Sequence, residues 1–448
     1  MKRYYYSLVR RYLSTLILAD NSVVEIDPKS NLLISSFSQL KVIFLNKNDD
    51  NSVLRKKFGN DSVVNFEECI KHPADYYIVG GLLHYERDIQ KLLGILHKMC
   101  NKQTRVIFIY YSSAWRLLVR LATKLGLREN SPELNWLAHE DIINFLRLEN
   151  FELIKRESKV LIPFYIPIIS ELFNRFFAPL PFFNNFCLVN IAIAKPIIAD
   201  SNKNTENLNL SVSIIVPARN ESGNINEIIN RIPAMGPEDE IIFVEGNSQD
   251  DTWTAIKQAK ARYGDKRNIL ICQQSGKGKG DAVRKGFELA SKEILMILDA
   301  DMTVPPEDLP RFYRAIKDGK GEFINGTRLV YPMEKRAMRY LNLVANKFFA
   351  MAFSFVLGQR FKDTLCGTKV ITRSNYLRLA MGRQFFGEFD PFGDFDLIFG
   401  AARMGLKIVE VPIVYCERVY GVTNISRWRH GIILLAMLIF SAKKIKFI

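Results

Sequence analysis

Apolar and polar positions along this chain follow two rhythms. Short apolar runs, each closed by a polar cluster, alternate with longer stretches whose apolar residues recur at helical spacing. In the first half, residues 23–27 (V-V-E-I-D), 41–45 (K-V-I-F-L), 75–79 (D-Y-Y-I-V) and 105–111 (R-V-I-F-I-Y-Y) are predicted strands, with a helix over 89–99. In the second half the predicted strands are 211–216, 240–244, 268–272 and 294–298, with helices starting near Asn224 and, behind the capping pair Asp250-Asp251, at Thr252. Strands alternating with helices predict an α/β chain with parallel sheets. Residues 199–209 (A-D-S-N-K-N-T-E-N-L-N) are polar and break the pattern, so the expected division is a domain over 1–198, a linker over 199–210, a second domain over 211–430 and a terminal helix over 431–448.

The strand ends of the second half carry the candidate chemistry. They read Pro217-Ala218-Arg219-Asn220-Glu221, then Glu245-Gly246-Asn247-Ser248, then the glycine loop S-G-K-G-K-G-D-A-V-R-K-G, then Asp299-Ala300-Asp301. Carboxyl ends of parallel strands are where open α/β sheets hold ligands. A single alanine between Asp299 and Asp301 lets both carboxylates reach one hard cation, Mg2+ or Mn2+, bridged to phosphate oxygens. The same acids also suit a turn that hydrogen-bonds to itself. The glycine loop follows the third strand and lacks a ribose-binding acid about 20 residues on, so it is not a dinucleotide fingerprint. Asp281 after Gly280 breaks the P-loop pattern.

The 448 residues leave room for two or three cores, and a net charge of +15 predicts anionic partners. No nucleic-acid motif is present, so those partners are phosphorylated substrates or an anionic membrane surface rather than nucleic acid. Six scattered cysteines form no metal or disulfide spacing and predict a reduced, cytoplasmic chain. The N-terminal M-K-R-Y-Y-Y-S-L-V-R-R-Y is not a signal peptide, and no apolar run reaches the roughly 20 residues of a spanning helix. Residues 431–442 come nearest. Flanked by Arg427, Arg429, Lys443, Lys444 and Lys446, they predict an interfacial helix and peripheral association with the inner face of a membrane, with a buried terminal helix as the alternative. The proline- and aromatic-rich run from Leu161 to Phe183 predicts core or interdomain packing, with rest against a membrane as the alternative.

The strand order of the first half, with its D-Y-x-I-x strand and L-x-H-Y helix entrance, resembles a class I S-adenosylmethionine-dependent methyltransferase, a Rossmann-like fold. That family's first loop is glycine-rich; here it reads Asp27-Pro28-Lys29-Ser30-Asn31. Glu25 keeps an acid nearby, but S-adenosylmethionine is not expected to bind. The second half carries P-A-R-N-E, V-E-G-N-S-Q-D-D-T, G-K-G-K-G-D-A-V-R-K-G, D-A-D-M-T-V-P-P-E, N-G-T-R, D-T-L-C-G-T-K and E-V-P-I-V-Y-C-E-R-V-Y-G. In that order these motifs resemble glycosyltransferase family 2 on a GT-A fold, and most closely the dolichyl- or polyprenyl-phosphate sugar transferases.

The resemblance implies roles. Pro217, Arg219, Glu221 and Glu245 would line the nucleotide; Lys279 and Arg284 would meet its diphosphate; Asp299 and Asp301 would hold the metal. Thr303 stands where the lipid-phosphate enzymes often have Gln. Asp394 and Asp396 fall at the acceptor-side acidic motif, with Arg328 beside the sugar pocket, as the expected catalytic groups. Arg336, Arg339, Asp363 and Arg418 are the acceptor candidates. The implied reaction is inverting transfer of a hexose from a UDP-glucose- or GDP-mannose-class donor to a polyprenyl phosphate. A saccharide hydroxyl as acceptor, a bifunctional methyltransferase/glycosyltransferase and a non-catalytic docking role for the first domain remain open.

Overall fold

The computed structural model describes residues 2–28, 40–43, 63–64, 66–126, 135–198, 210–330, 340–383, 395–418, 420 and 427–448. The chain divides into two compact units, residues 1–200 with 445–448 and residues 201–444.

Unit 1 holds a six-stranded sheet made of β1 (Val23–Ile26), β2 (Leu40–Ile43), β3 (Tyr76–Gly80), β4 (Arg105–Tyr111), β5 (Phe151–Lys159) and β6 (Val189–Pro196). The order is β2-β1-β3-β4-β6-β5. Strands β2 to β4 run parallel, and β6 is antiparallel to both β4 and β5. Val42 forms a further parallel bridge to Val63 on the outer edge. Alternate residues face opposite sides, and both sides are covered. Tyr77, Val79, Val106 and Phe108 pack under the helix Ile89–Lys98, while Tyr76, Ile78, Ile107 and Ile109 pack under the helix Lys2–Leu16. Burial on both faces is why these strands read as continuous apolar runs.

Strand β5 departs from that rule. Its Lys155, Glu157 and Lys159 are buried, and Lys446, from the returning end of the chain, donates to Glu157 at 2.9 and 3.2 Å. Burial opposes the Glu157 charge, but the three lysines outweigh it and hold the carboxyl at about 2. Burial together with its fellow lysines pushes Lys159 down to about 8. Lys446 therefore does not join the basic flank expected for an interfacial helix. The helix itself spans Arg427–Ser441 and is part core, with Leu434 and Met437 buried and Ile432, Leu435 and Ile439 exposed.

Unit 2 holds seven strands: β7 (Val212–Ala218), β8 (Glu240–Glu245), β9 (Asn268–Gln273), β10 (Ile294–Ile297), β11 (Phe323–Thr327), β12 (Lys369–Thr372) and β13 (Ile408–Pro412), ordered β13-β11-β12-β10-β7-β8-β9. All are parallel except β12, which runs against β10 and β11. The carboxyl ends of six strands and the entrance to β12 thus share one edge. On the far side of β7, the helix Lys279–Leu289 approaches so closely that a Cβ on Gly286 would run into the Ile215 side chain.

Two outcomes follow for stability. Gly286→Ala should lower the melting temperature, overpacking costing about 1–3 kcal/mol. Gly431→Ala, in a helix with nothing near the added methyl, should raise it by up to about 1 kcal/mol of helix propensity. Thermal unfolding of both variants checks the opposite signs. Glu25 is buried on β1 with Oε2 unpartnered, and burial pushes its carboxyl up to about 8. A raised carboxyl contributes stability at acid pH that is lost as pH rises from its unfolded value through 8. Glu25→Gln should therefore raise the melting temperature at pH ~9 and change it little at pH ~5.

Candidate active site

The shared edge of the unit 2 sheet gathers the acids and bases. Three strand ends turn there through left-handed residues: Asn220 after β7, Asn247 after β8 and Met302 after β10, with φ of 57°, 56° and 51°. Asparagine tolerates that conformation; for Met302 it costs on the order of 1–2 kcal/mol. The turn it makes, closed by Met302 N–H donating to the Asp299 carbonyl at 3.2 Å, reverses the chain right after Asp301.

Each of the two aspartates meets its own cation. Lys279, the first residue of the helix Lys279–Leu289, places Nζ 2.6 Å from Asp299 Oδ1. Burial works against the Asp299 carboxylate, but Lys279, Lys369 and Arg328 together hold it below the usual range. Gly367, just before β12, lies against this pair: a Cβ there would overlap the Asp299 carboxylate and crowd Lys279 Nζ. Asp301 accepts from Arg418 Nη2 at 2.6 Å through Oδ2, and from Thr303 N and Oγ1 at 3.1 and 2.9 Å through Oδ1.

Arg418 also reaches Glu221 Oε1 at 2.9 Å, so one guanidinium ties the end of β7 to the turn after β10. Asn224 doubles the link, donating to Glu221 Oε2 at 2.7 Å and to the Ala300 carbonyl at 3.1 Å. Burial pushes the Glu221 carboxyl up to about 7; Arg418 pulls it down and Asp301 adds to the rise.

Other expected residues are placed differently. Arg328, at the end of β11, donates Nε and Nη2 to Asp363 at 2.6 and 2.8 Å and sits over the Tyr415 ring. Asp363 is 0% exposed, so it acts on Arg328 and is not presented to an acceptor. Glu245 is 1% exposed, its oxygens accepting from Ser248 N and Gln273 Nε2 at 2.5 and 2.9 Å. That commits its carboxylate to partners at the ends of β8 and β9. Burial raises Glu245, but these hydrogen bonds outweigh it and hold it low. Asp396, second residue of the helix Phe395–Arg403, is buried and accepts from Arg383 Nε at 2.7 Å. Pro217 is half-buried in β7, Arg219 is exposed just beyond it, and Arg284 is half-buried on the helix of Lys279. Asp394, Arg336 and Arg339 lie outside the described residues.

Sequence reasoning did not single out Gly367, Asn224 or Lys369. The D-T-L-C-G-T-K motif contained the first and last, but their use depends on β12 entering at the edge where β10 ends. The same strip holds buried hydroxyls of Thr327, Thr364 and Thr368 with no hydrogen-bond partner.

For a divalent cation, the oxygen-only donors Asp299 and Asp301 suit Mg2+ or Mn2+. Among the described residues no group of three or more His, Cys, Asp or Glu is placed to hold a metal, so further ligands would come from phosphate or water.

Comparison with known proteins bears on the same half of the chain. The family model for Glycosyl transferase family 2 matches residues 213–380. Glycosyltransferase AglJ of Haloferax volcanii is 30% identical over 236 residues, covering 52% of this chain and 72% of the relative. Polyprenol monophosphomannose synthase of Mycolicibacterium smegmatis is 27% identical over 219 residues, covering 47% of this chain and 80% of the relative. Among solved structures, glucosyl-3-phosphoglycerate synthase from Mycobacterium tuberculosis aligns at 20% identity and a TM-score of 0.39, over 53% of this chain and 80% of the other. With an edge of paired acids and bases that its motifs foretell, and a 30% identical relative covered over most of its length, this chain belongs to glycosyltransferase family 2.

Proposed function

We propose that unit 2 moves a hexose, with inversion, from a nucleotide-diphosphate sugar to a polyprenyl phosphate. The observation that carries this is the pairing of Asp299 with Lys279 and of Asp301 with Arg418 on the ligand-binding edge of the sheet. A relative named for polyprenol monophosphomannose synthesis supports the acceptor class.

Lys279 begins an 11-residue helix, so its ammonium and the backbone N–H groups of the first turn form a site for a diphosphate. Asp299 and Asp301 would hold Mg2+ or Mn2+, which when bound supplies charge neutralisation for the departing nucleoside diphosphate. Arg418 holds Asp301 and Glu221 in register until the donor arrives. Arg328, fixed by Asp363 and Tyr415, would stabilise the negative charge that builds up on the departing diphosphate. A phosphate monoester is largely ionised at neutral pH and needs no base to attack. That agrees with Asp396, the candidate base for a hydroxyl acceptor, being buried on Arg383.

Helices Tyr340–Leu357 and Arg427–Ser441 of this unit expose Val344, Phe348, Met351, Ile432, Leu435 and Ile439. Those side chains supply an apolar face for a polyprenyl tail and support peripheral association with the inner face of a membrane. No helix among the described residues is long and apolar enough to cross one.

Unit 1 is proposed to be a methyltransferase-like fold without its cofactor. Its sheet order, with the antiparallel β6 inserted beside β4, supports the fold. Asp27 after β1 takes φ of 42°, a conformation suited to glycine, with a side chain in the way and Pro28 following.

Asp299→Asn and Asp301→Asn should each lower transfer to polyprenyl phosphate by roughly 10²-fold or more while the melting temperature holds. Wild-type rates in both variants, or rates indifferent to chelator, would overturn the metal-site assignment. Calorimetry of the full chain should show no heat of S-adenosylmethionine binding at about millimolar ligand, a concentration at which a micromolar site would be saturated. A saturable micromolar isotherm would restore the bifunctional reading.

A further inference from the structure

Two segments of unit 1 are built with their apolar side chains outward. The first is the helix Arg116–Lys124, which has no buried residue. Its inner face is marked by Trp115 and Val119, packed on the sheet below. Its outer surface carries two stripes at helical spacing: Leu117, Leu121 and Leu125, all more than half exposed, beside Arg116, Arg120 and Lys124, exposed as well. No acid occurs between residues 112 and 126.

The second segment is residues 161–186. Here the polar side chains point in. Asn174 accepts from Ile162 N at 2.9 Å and donates to the Ile162 carbonyl at 2.8 Å. Ser170, fully buried, accepts from Ile166 N at 2.8 Å and donates to the Phe164 carbonyl at 2.7 Å. With the backbone satisfied from within, Phe164, Tyr165, Ile168, Phe176, Phe182 and Phe186 are left in solvent. Ile168 is 81% exposed with φ of 66°, a strained conformation for a β-branched residue that holds its side chain at the tip of the turn. A loop meant for water would show the reverse arrangement.

The two segments adjoin, because Trp115 Nε1 donates to the Phe186 carbonyl at 2.7 Å. Exposed bases lie around them. Arg3 and Arg10 are exposed on the helix Lys2–Leu16, which packs on the second segment through Tyr4 and Tyr165. Arg175 lies over the Phe176 ring. The single acid of the second segment, Glu171, is held by Arg11 at 3.1 Å.

We propose that this face of unit 1 docks the chain on an anionic lipid bilayer, with the leucine stripe and the 164–186 aromatics in the acyl boundary and the arginine stripe at the headgroups. The charge decides the occupant. Exposed bases flanking exposed leucines and aromatics fit an interfacial, anionic and apolar partner. That partner is the bilayer already proposed to hold the acceptor, and to that extent the inference rests on that reading; the surface is a separate one, on a different unit.

The test uses the full-length protein, sedimented at about 0.1 M salt with vesicles of phosphatidylcholine alone or mixed with phosphatidylglycerol. Binding is expected only with phosphatidylglycerol. It should weaken by about tenfold or more in Leu117→Glu/Leu121→Glu and in Ile168→Glu/Phe182→Glu, and less in Arg116→Gln/Arg120→Gln. These positions are exposed, so melting temperature and transfer to a short water-soluble acceptor should match wild type. Vesicle binding unchanged in both glutamate variants overturns the proposal. So does loss confined to Ile432→Glu/Leu435→Glu, which would move docking to unit 2. Variants that only convert a dimer to a monomer would assign the face to a second copy of the chain. Absence of sugar transfer in wild type and variants alike counts against the catalytic reading, and the vesicle result still decides this one.

Discussion

Like charges on alternate residues at the end of a buried strand repel each other and lose hydration, and unit 2 is arranged around relieving that. Asp299 and Asp301 stand two residues apart just past the carboxyl end of β10, and each is met by a cation from elsewhere. The chain brings them from opposite directions in sequence: Lys279 from the helix before β10, Arg418 from beyond β13. Neither could approach if the edge were built otherwise. The antiparallel entry of β12 brings Gly367 to the strand end, and only a residue without a Cβ leaves room there for the Asp299–Lys279 pair.

Arg418 illustrates how one such contact fixes several others. A guanidinium is planar with donors on separate edges, so it serves Asp301 through Nη2 and Glu221 through Nη1 at once. Removing its charge would leave a carboxylate at Asp301 beside one at Glu221 that burial already pushes toward neutrality. On the proposed reading, a divalent ion held by Asp301 would compete with Arg418 for that carboxylate. Because Arg418 bonds Glu221 as well, that competition would act on both acids.

Much of this was legible in the sequence, for identifiable reasons. The predicted strands of unit 2 fall within a residue or two of β7, β8, β9 and β10, because strands buried on both faces must be apolar throughout and end where the polar loop begins. The acids at those ends were legible for the same reason. What was not legible is pairing over long separations. The Glu221–Arg418 contact joins residues 197 apart, and the Arg328–Asp363 pair depends on where β12 is inserted. Arg418 and Asp363 were expected at an acceptor because a charge in a sequence looks the same whether it faces substrate or another side chain.

Unit 1 breaks two compositional rules. Strand β5 carries Lys155, Glu157 and Lys159 in its interior, where a sequence reading expects solvent. They are tolerable there because Glu157 pairs with Lys155 and with Lys446 of the returning chain end, whose carbonyl accepts from Lys159. The 161–186 run shows the complementary break, with Ser170 and Asn174 turned inward and phenylalanines outward. Backbone groups must find partners wherever the chain goes, and where serine and asparagine are spent on that task they cannot also face water. Composition alone cannot tell such a segment from core. The difference lies in which side chains satisfy the backbone, and here the polar ones do, which leaves the aromatics available for a surface other than water.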